Sequence, residues 1–431
     1  MLIDRRFQVL VFLIILAGQV LAQSNSDSPY SRFGLGIMTQ PGFSKNRAMG
    51  GVGLAIRDNN HINYLNPASY SAMDTMSFLF DFGVMGHHTY TEYAGGTDKY
   101  TGMNMDHLAI SFPITRWWGA SIGVLPYSKV GYSIKQEDFK ENIGFLDYIY
   151  TGNGGINQLF LGTSIELYDR VSIGVNFKYL FGSIDLKRSV QFPFQIAHSY
   201  TEVESRTLVN DFIIDLGIQY SQDFLEDYNI TVGMIFDNKT SVSAENRILK
   251  TNRFPGSPAS VPSDSIILDP LFIIEESSQK GNIVIPSNFG AGLSFKYKNK
   301  ISIAIDYYEQ DWSKATFFYS NQTFTKSNSF HGGLEIIPDP QALRGYHKRI
   351  AYRVGGHYQN SYLKFEDEQL KDYGISFGAG LPLKNLKSSF NLAIEAGRRG
   401  TLENNLIREN YLFLSFSVTL YDFWFVKRKF D

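Results

Sequence analysis

The chain has 431 residues, a formal net charge of −2, no cysteine, and 15% aromatic residues led by 34 Phe and 26 Tyr. So balanced a charge gives no electrostatic case for nucleic acid, and an exported chain without cysteine is held by backbone hydrogen bonds and burial rather than by disulfides. Beyond residue 22 no apolar run is long enough for a helical span, so a membrane-crossing chain of this composition has to be a β-barrel.

Residues 1–22 carry Arg5 and Arg6, the apolar run FQVLVFLIILAGQVLA, and Val20 and Ala22 at the end. This is the pattern of a cleavable secretory signal peptide. The rival reading is an anchor, but the run falls short of the roughly 20 residues that cross a bilayer, and polar SNSDS follows directly. Residues 23–75, with RAMGGVGLAI and NNHINYLNPASY, read as neither helix nor strand.

From about residue 76 to the end, at 431, a period of two dominates. Val171, Ile173, Val175 and Phe177 share one face and Ser172, Gly174, Asn176 and Lys178 the other. The same alternation recurs with Ile301, Ile303 and Ile305 against Ser302, Ala304 and Asp306, and with Phe390, Leu392 and Ile394 against Asn391, Ala393 and Glu395. A helix would scatter these residues. Many segments run to about ten residues, the length of tilted membrane strands rather than of the usual globular strand. Fourteen such segments can be placed between residues 76 and 424, an even number, as single-chain bacterial barrels have. TRWWG, LYDR, KNK and LKNLK are short connections, whereas 136–154, 250–282 and 314–326 are long. Short periplasmic turns and long external loops produce this sorting, and a soluble sandwich does not. The last strand closes on Tyr421, Phe423, Trp424 and Phe425, which suits an interfacial aromatic girdle. The expectation is an all-β chain: a transmembrane antiparallel β-barrel of about 14 strands over residues 76–431.

The stretch IPSNFGAGLSFKYKNKISIAIDYYEQDWS, with Pro286, Gly290, Asp306, Tyr307, Trp312 and Ser313, resembles the FadL-type outer-membrane transporter family. Asn66, Pro67, Ala68 and Ser69 are similar to the NPA element of that family's N-terminal hatch, and RVGGHYQN and YGISFGAGLPL to its later strands. The resemblance implies a fourteen-stranded barrel closed from inside by residues 23–75, carrying hydrophobic, fatty-acid-like molecules through the outer membrane of a Gram-negative bacterium. Irregular backbone is tolerated inside such a lumen because barrel and water satisfy its polar groups. A periplasmic tail is the other reading of that segment.

Pro126 stands in the third strand, where a residue without an N–H marks a bulge or a break. The resemblance implies a kink there that opens the wall sideways; an ordinary strand end near the rim is the alternative. Phe139, Ile143, Leu146 and Ile149 follow helical spacing in an external loop, and the resemblance implies a ligand groove there; packing on a neighbouring loop is the plainer reading. Inward charges such as Glu166, Lys178, Asp215, Asp306, Arg353 and Glu395 would line a path or pair with one another and the hatch. His61 and His357 have no partners at metal spacing, so no metal and no cofactor are expected. GASIG around Ser121 matches a nucleophile elbow but lies inside a strand, without the following helix that motif requires. GVG at 51–53 lacks the strand and further glycine of a dinucleotide loop.

No enzymatic chemistry is therefore expected. The leading expectation is a passive channel that releases hydrophobic compounds through its wall, with outer-membrane lipid as its surroundings. The second is a structural or adaptor barrel within an outer-membrane protein complex for secretion or barrel assembly. A third, a porin for polar solutes, would need an unplugged lumen.

Overall fold

The computed structural model describes residues 28–141, 143–192, 200–253, 271–317, 324–365, 367–383 and 387–423. The expected leader (1–22), the Pro- and Ser-rich stretch 255–265, and Trp424 and Phe425 lie outside them.

Fourteen antiparallel strands form the wall. They are β1 Ser77–Tyr93, β2 Gly96–Thr115, β3 in two parts (Trp118–Lys129 and Tyr132–Lys140), β4 Gly144–Leu167, β5 Val171–Gln191, β6 Tyr200–Phe224, and β7 in two parts (Tyr228–Asp237 and Thr240–Arg253). Then come β8 in two parts (Leu271–Ile285 and Asn288–Tyr297), β9 Ile301–Asp311, β10 Lys326–Ile336, β11 Ala351–Phe365, β12 Glu368–Pro382, β13 Ser389–Gly400 and β14 Arg408–Phe423. Each pairs with the next, and β14 pairs with β1 from Arg408↔Glu92 to Phe423↔Ser77, so the sheet has no free outer edge. Closure matters because an open edge in hydrocarbon would leave backbone groups without partners.

Burial is inverted relative to a soluble sandwich. On β5, Ile173 and Phe177 are 44% and 47% exposed while Ser172 and Asn176 are 1% and 0%. The greasy face looks outward to lipid and the Gly, Ser and Asn face looks into the lumen. Trp117 and Trp118 stack at 6.2 Å beside the β2–β3 turn, where a girdle residue belongs. At this end Tyr168 and Asp169, Leu225 and Glu226, and Lys298 and Asn299 all have positive φ. Two successive left-handed residues give the turn whose twist matches paired strands.

At the opposite end, two of the three expected loops, 136–154 and the described part of 250–282, are largely strand instead. β3 and β4 continue to a hairpin at Lys140↔Gly144, and β7 runs to Arg253, paired with β8 at Leu271. The helix expected around 139–149 is thus absent, because those residues pair across β3 and β4, with Phe139 opposite Phe145. Their helical spacing was fortuitous. Strand parity puts Phe139 and Ile149 on one face and Leu146 on the other, and Ile143 lies in the turn, so the four share no single groove.

Residues between 28 and 75 pack against inward-facing residues of the wall. Inward glycines show how closely. A Cβ on Gly119 of β3 would meet Tyr70 O at 2.0 Å, on Gly174 of β5 Pro67 C at 2.4 Å, on Gly233 of β7 Leu54 O at 1.9 Å, and on Gly355 of β11 Met49 C at 2.1 Å. Only a bare backbone leaves room for a second backbone there.

Candidate functional site

Asn66 is fully buried and organises the centre of this internal segment. Its Oδ1 accepts from Ala68 N at 3.1 Å, capping the short 3-10 turn Pro67–Ala72, with Pro67 in the first helical position; both choices suit a helix start. Its Nδ2 donates to Leu54 O at 2.8 Å and to the strand carbonyl of Ile218 at 3.2 Å. Ser69 Oγ donates to Asn63 O at 2.8 Å, and Tyr70 OH to Asn176 Oδ1 on β5 at 2.9 Å. Ala68 is fully buried.

Around the circumference the wall supplies partners for the segment's backbone. Asp306 Oδ2 on β9 accepts from Gly53 N at 2.6 Å and Leu54 N at 2.9 Å. Ser294 Oγ on β8 donates to Ala55 O at 2.8 Å, His331 Nδ1 on β10 lies 2.6 Å from Gly50 O, and Ser376 Oγ on β12 accepts from Gly50 N at 2.9 Å. Buried non-repetitive backbone needs such partners.

Charges are matched in the same way. Arg47 Nη1 meets Asp106 Oδ1 on β2 at 2.6 Å, and His107 bridges Asp106 and Asp81 at 2.8 and 2.9 Å. Phe43 stacks flat on the His107 ring at 3.6 Å. Lys45 and Lys296 hold Asp58 at 2.5 and 2.7 Å, and Arg57 meets Glu166 at 3.0 Å. Burial by itself would raise the Asp58 carboxyl, but Lys296 and Lys45 outweigh it and hold it well below the usual carboxylate range. Burial and then the charges of Lys45 and Arg353 hold the His61 imidazole well below its ordinary value. Of the inward charges picked from sequence, Lys178 pairs with Asp215, Arg353 with Glu335 at 2.6 Å, and Glu395 accepts from Gln40 at 2.5 Å. Among the described residues no cluster of His, Asp or Glu has metal-site geometry.

Pro126 marks a seam in the wall. β2 and β3 pair from Thr115↔Trp118 only as far as Leu108↔Val124, and β3 is irregular against β4 between Pro126 and Ser128. Beyond Val124 the edge of β3 is taken over from inside: Ile37 and Met38 pair with Lys129 and Ser128. Thr39 N donates to Tyr127 O at 3.1 Å and Thr39 Oγ1 to Pro126 O at 2.9 Å. Sequence alone gave no sign that Ile37–Thr39 would form this substitute strand, since two residues carry no readable period.

Above the polar layer the lumen turns apolar. Leu35 packs with Ile156, Leu180 and Val242, all at most 1% exposed, and the cluster reaches the seam through Val130, Tyr132, Tyr127 and Met38. A cavity of about 70 Å³ adjoins it, with Ile37, Met38, Met85, Tyr411 and Phe413 among its walls. Among the four residues expected to form a groove, only Leu146 is fully buried; Phe139 is 62% exposed, its ring 5.2 Å from that of Phe145.

A closed fourteen-stranded cylinder whose N-terminal residues bond to inward-facing side chains of the wall has the fold of the FadL-type barrels. The structure superposes on the Pseudomonas putida toluene transporter TodX with a TM-score of 0.61 at 12% identity, over 89% of this chain and 99% of that one. It superposes on a Pseudomonas aeruginosa FadL homologue with a TM-score of 0.59 at 11% identity (89% and 99% covered), and on the CymD monoaromatic hydrocarbon channel with 0.57 at 13% (90% and 98% covered). At these identities the likeness is one of fold. By sequence the chain belongs to the BamG family, whose model matches residues 3–431. No curated protein matches the sequence.

Proposed function

We propose that this barrel passes small hydrophobic, fatty-acid-like molecules between its lumen and the outer membrane through the β2–β3 seam, with residues 28–75 as the plug. The single observation that carries this reading is the parting of the two strands beyond Leu108 and Val124. Apolar residues line the inner side of that parting, and Ile37–Thr39 close it with a handful of hydrogen bonds. An apolar molecule leaving there avoids the ion-paired lower lumen, where desolvating charges would oppose it. The named hydrocarbon transporters of the same fold are consistent with this. No step requires a bond to be made or broken, so the reading is of a channel and not of an enzyme.

The seam is tested by placing cysteines at Ile37 and Lys129, which lie opposite one another in register in a chain that has no other cysteine. Oxidation should reduce transfer of an apolar fluorescent probe into vesicles to the level of empty vesicles, and a reductant should restore it. Pro126→Ala should lower the rate in a folded barrel by letting β3 straighten. Undiminished transfer in the oxidised protein would count decisively against exit at the seam.

A second reading, a structural subunit of an outer-membrane protein assembly, is favoured by how firmly the internal segment is pinned by buried ion pairs. Purification in mild detergent separates the two: stoichiometric protein partners favour the subunit, and a monomer carrying bound lipid favours the channel.

A further inference from the structure

The short-turn end of the barrel opens into a charged vestibule of about 650 Å³, lined by seven basic side chains and four carboxylates in a chain whose net charge is −2. Short turns face the periplasm in bacterial barrels. Lys45, Lys296, Arg57 and Arg353 are spoken for by Asp58, Glu166 and Glu335. Arg116, Lys300 and Arg349 have no carboxylate partner among the described residues, and they come from three separate connections, β2–β3, β8–β9 and β10–β11.

Two buried atoms here lack a hydrogen-bond partner. One is Arg349 Nε, a donor, and the other is His61 Nε2. With His61 Nδ1 donating to Asn60 Oδ1 at 2.9 Å, a neutral imidazole leaves Nε2 as an acceptor. A fully deprotonated inorganic anion satisfies the arginine and cannot satisfy the histidine, whereas a peptide brings both acceptors and N–H donors. Buried polar atoms left without partners are costly, so each marks a place where a ligand group gains. The β10–β11 connection, 337–350, is much longer than the neighbouring β8–β9 connection, 298–300, and β12–β13 connection, 383–388. It holds Leu343 and Tyr346 exposed next to Arg344 and Lys348, and it is braced by Asp339 N donating to Lys348 O at 2.8 Å and Tyr346 OH to Pro382 O at 3.0 Å.

We propose that this mouth docks an extended acidic segment of a periplasmic protein, its carboxylates on Arg116, Lys300 and Arg349 and an apolar side chain against Leu343 and Tyr346. A concave cavity with an excess of basic over acidic side chains focuses its field on such a segment, and the space is far larger than one phosphate. The proposal stands whether the barrel is a channel or a subunit, because it uses none of the seam residues.

The test uses the full-length protein in detergent with fluorescent hexaglutamate, hexaglutamine, and inorganic phosphate as competitor. Hexaglutamate should bind and weaken with salt, because exposed charges are screened. Hexaglutamine should not bind, and phosphate should compete only at large excess. The triple variant Arg116→Ala, Lys300→Ala, Arg349→Ala should bind hexaglutamate about tenfold or more weakly, as loss of complementary charge predicts, with heat-modifiable migration showing an intact barrel. Should that variant not fold, Arg116→Ala and Lys300→Ala singly should each weaken binding. Absence of hexaglutamate binding, equal binding by the folded variants, or competition by phosphate at matched charge would each overturn the proposal.

Discussion

Gly233→Val is expected to leave the cylinder closed and to drive residues 28–75 out of register with it. Gly233 faces the lumen, and its missing Cβ would lie 1.9 Å from Leu54 O. That carbonyl also accepts from Asn66 Nδ2 at 2.8 Å and from Gln219 Nε2 at 2.9 Å, while Leu54 N donates to Asp306 at 2.9 Å. Overfilling a packed site costs about 1–3 kcal/mol, and each buried polar group left unpaired adds about 1–3 kcal/mol. Moving Leu54 away breaks several of these bonds together, so the internal segment yields before the wall does. The wall is held by ladders that do not use the glycine's side: Gly233 pairs through its backbone with Gln219 and Gly292. Limited proteolysis should cut within residues 28–75 of the variant and not of the parent, and single-channel conductance should rise, with heat-modifiable migration unchanged. A variant whose segment remains protected and whose conductance matches the parent would show that the segment does not plug the lumen through this contact.

Asp106→Ala is expected to cost stability rather than to open the lumen. The substitution leaves Arg47, 5% exposed, as a buried guanidinium without its carboxylate, and it removes one of the two anions that hold His107. Removing one member of a buried pair costs roughly 3–5 kcal/mol, because the remaining charge stays desolvated. Urea unfolding in lipid vesicles should show a midpoint lowered accordingly. Glu137→Gln is the internal control: its partner Lys135 lies on the exposed hairpin, where solvent screening leaves such pairs with little effect, and the midpoint should not move. Equal midpoints for Asp106→Ala and the parent would mean that the internal ion pairs do not contribute to holding the molecule together.

Much of the wall was legible because its rule is local. The alternation through Val171, Ile173, Val175 and Phe177 sets which side meets lipid, and each of the fourteen strands overlaps a segment read from that alternation, though several run beyond it. The same reading failed at residues 139–149, where four apolar residues at helical spacing belong to a hairpin. Their conformation is decided by pairing across β3 and β4, and a short apolar run by itself does not say which period it obeys. The long connections failed for a related reason: beyond the membrane band nothing in composition forbids strands from continuing, and β7 and β8 continue for as long as they pair.

Within the lumen the balance is reversed. NPAS could be singled out because Asn before Pro is a recognisable helix start, yet nothing in the motif says that Asn66 reaches carbonyls of the wall. Nor could Asp306 be assigned to Gly53 and Leu54, some 250 residues away, since such a pair leaves no mark in either local stretch. Ile37 and Met38 show the limit most sharply, as two residues become a strand only because β3 presents an edge that β2 has left.

The order of residues alone determined that the chain must roll into a lipid-facing cylinder, because a period of two separates oily from polar side chains wherever it occurs and hydrocarbon accepts no unpaired backbone. Where the N-terminal segment sits, which charges meet, and where β2 parts from β3 were decided only by tertiary structure. Those contacts join groups far apart in the chain, and their energies depend on distances that closure of the barrel sets.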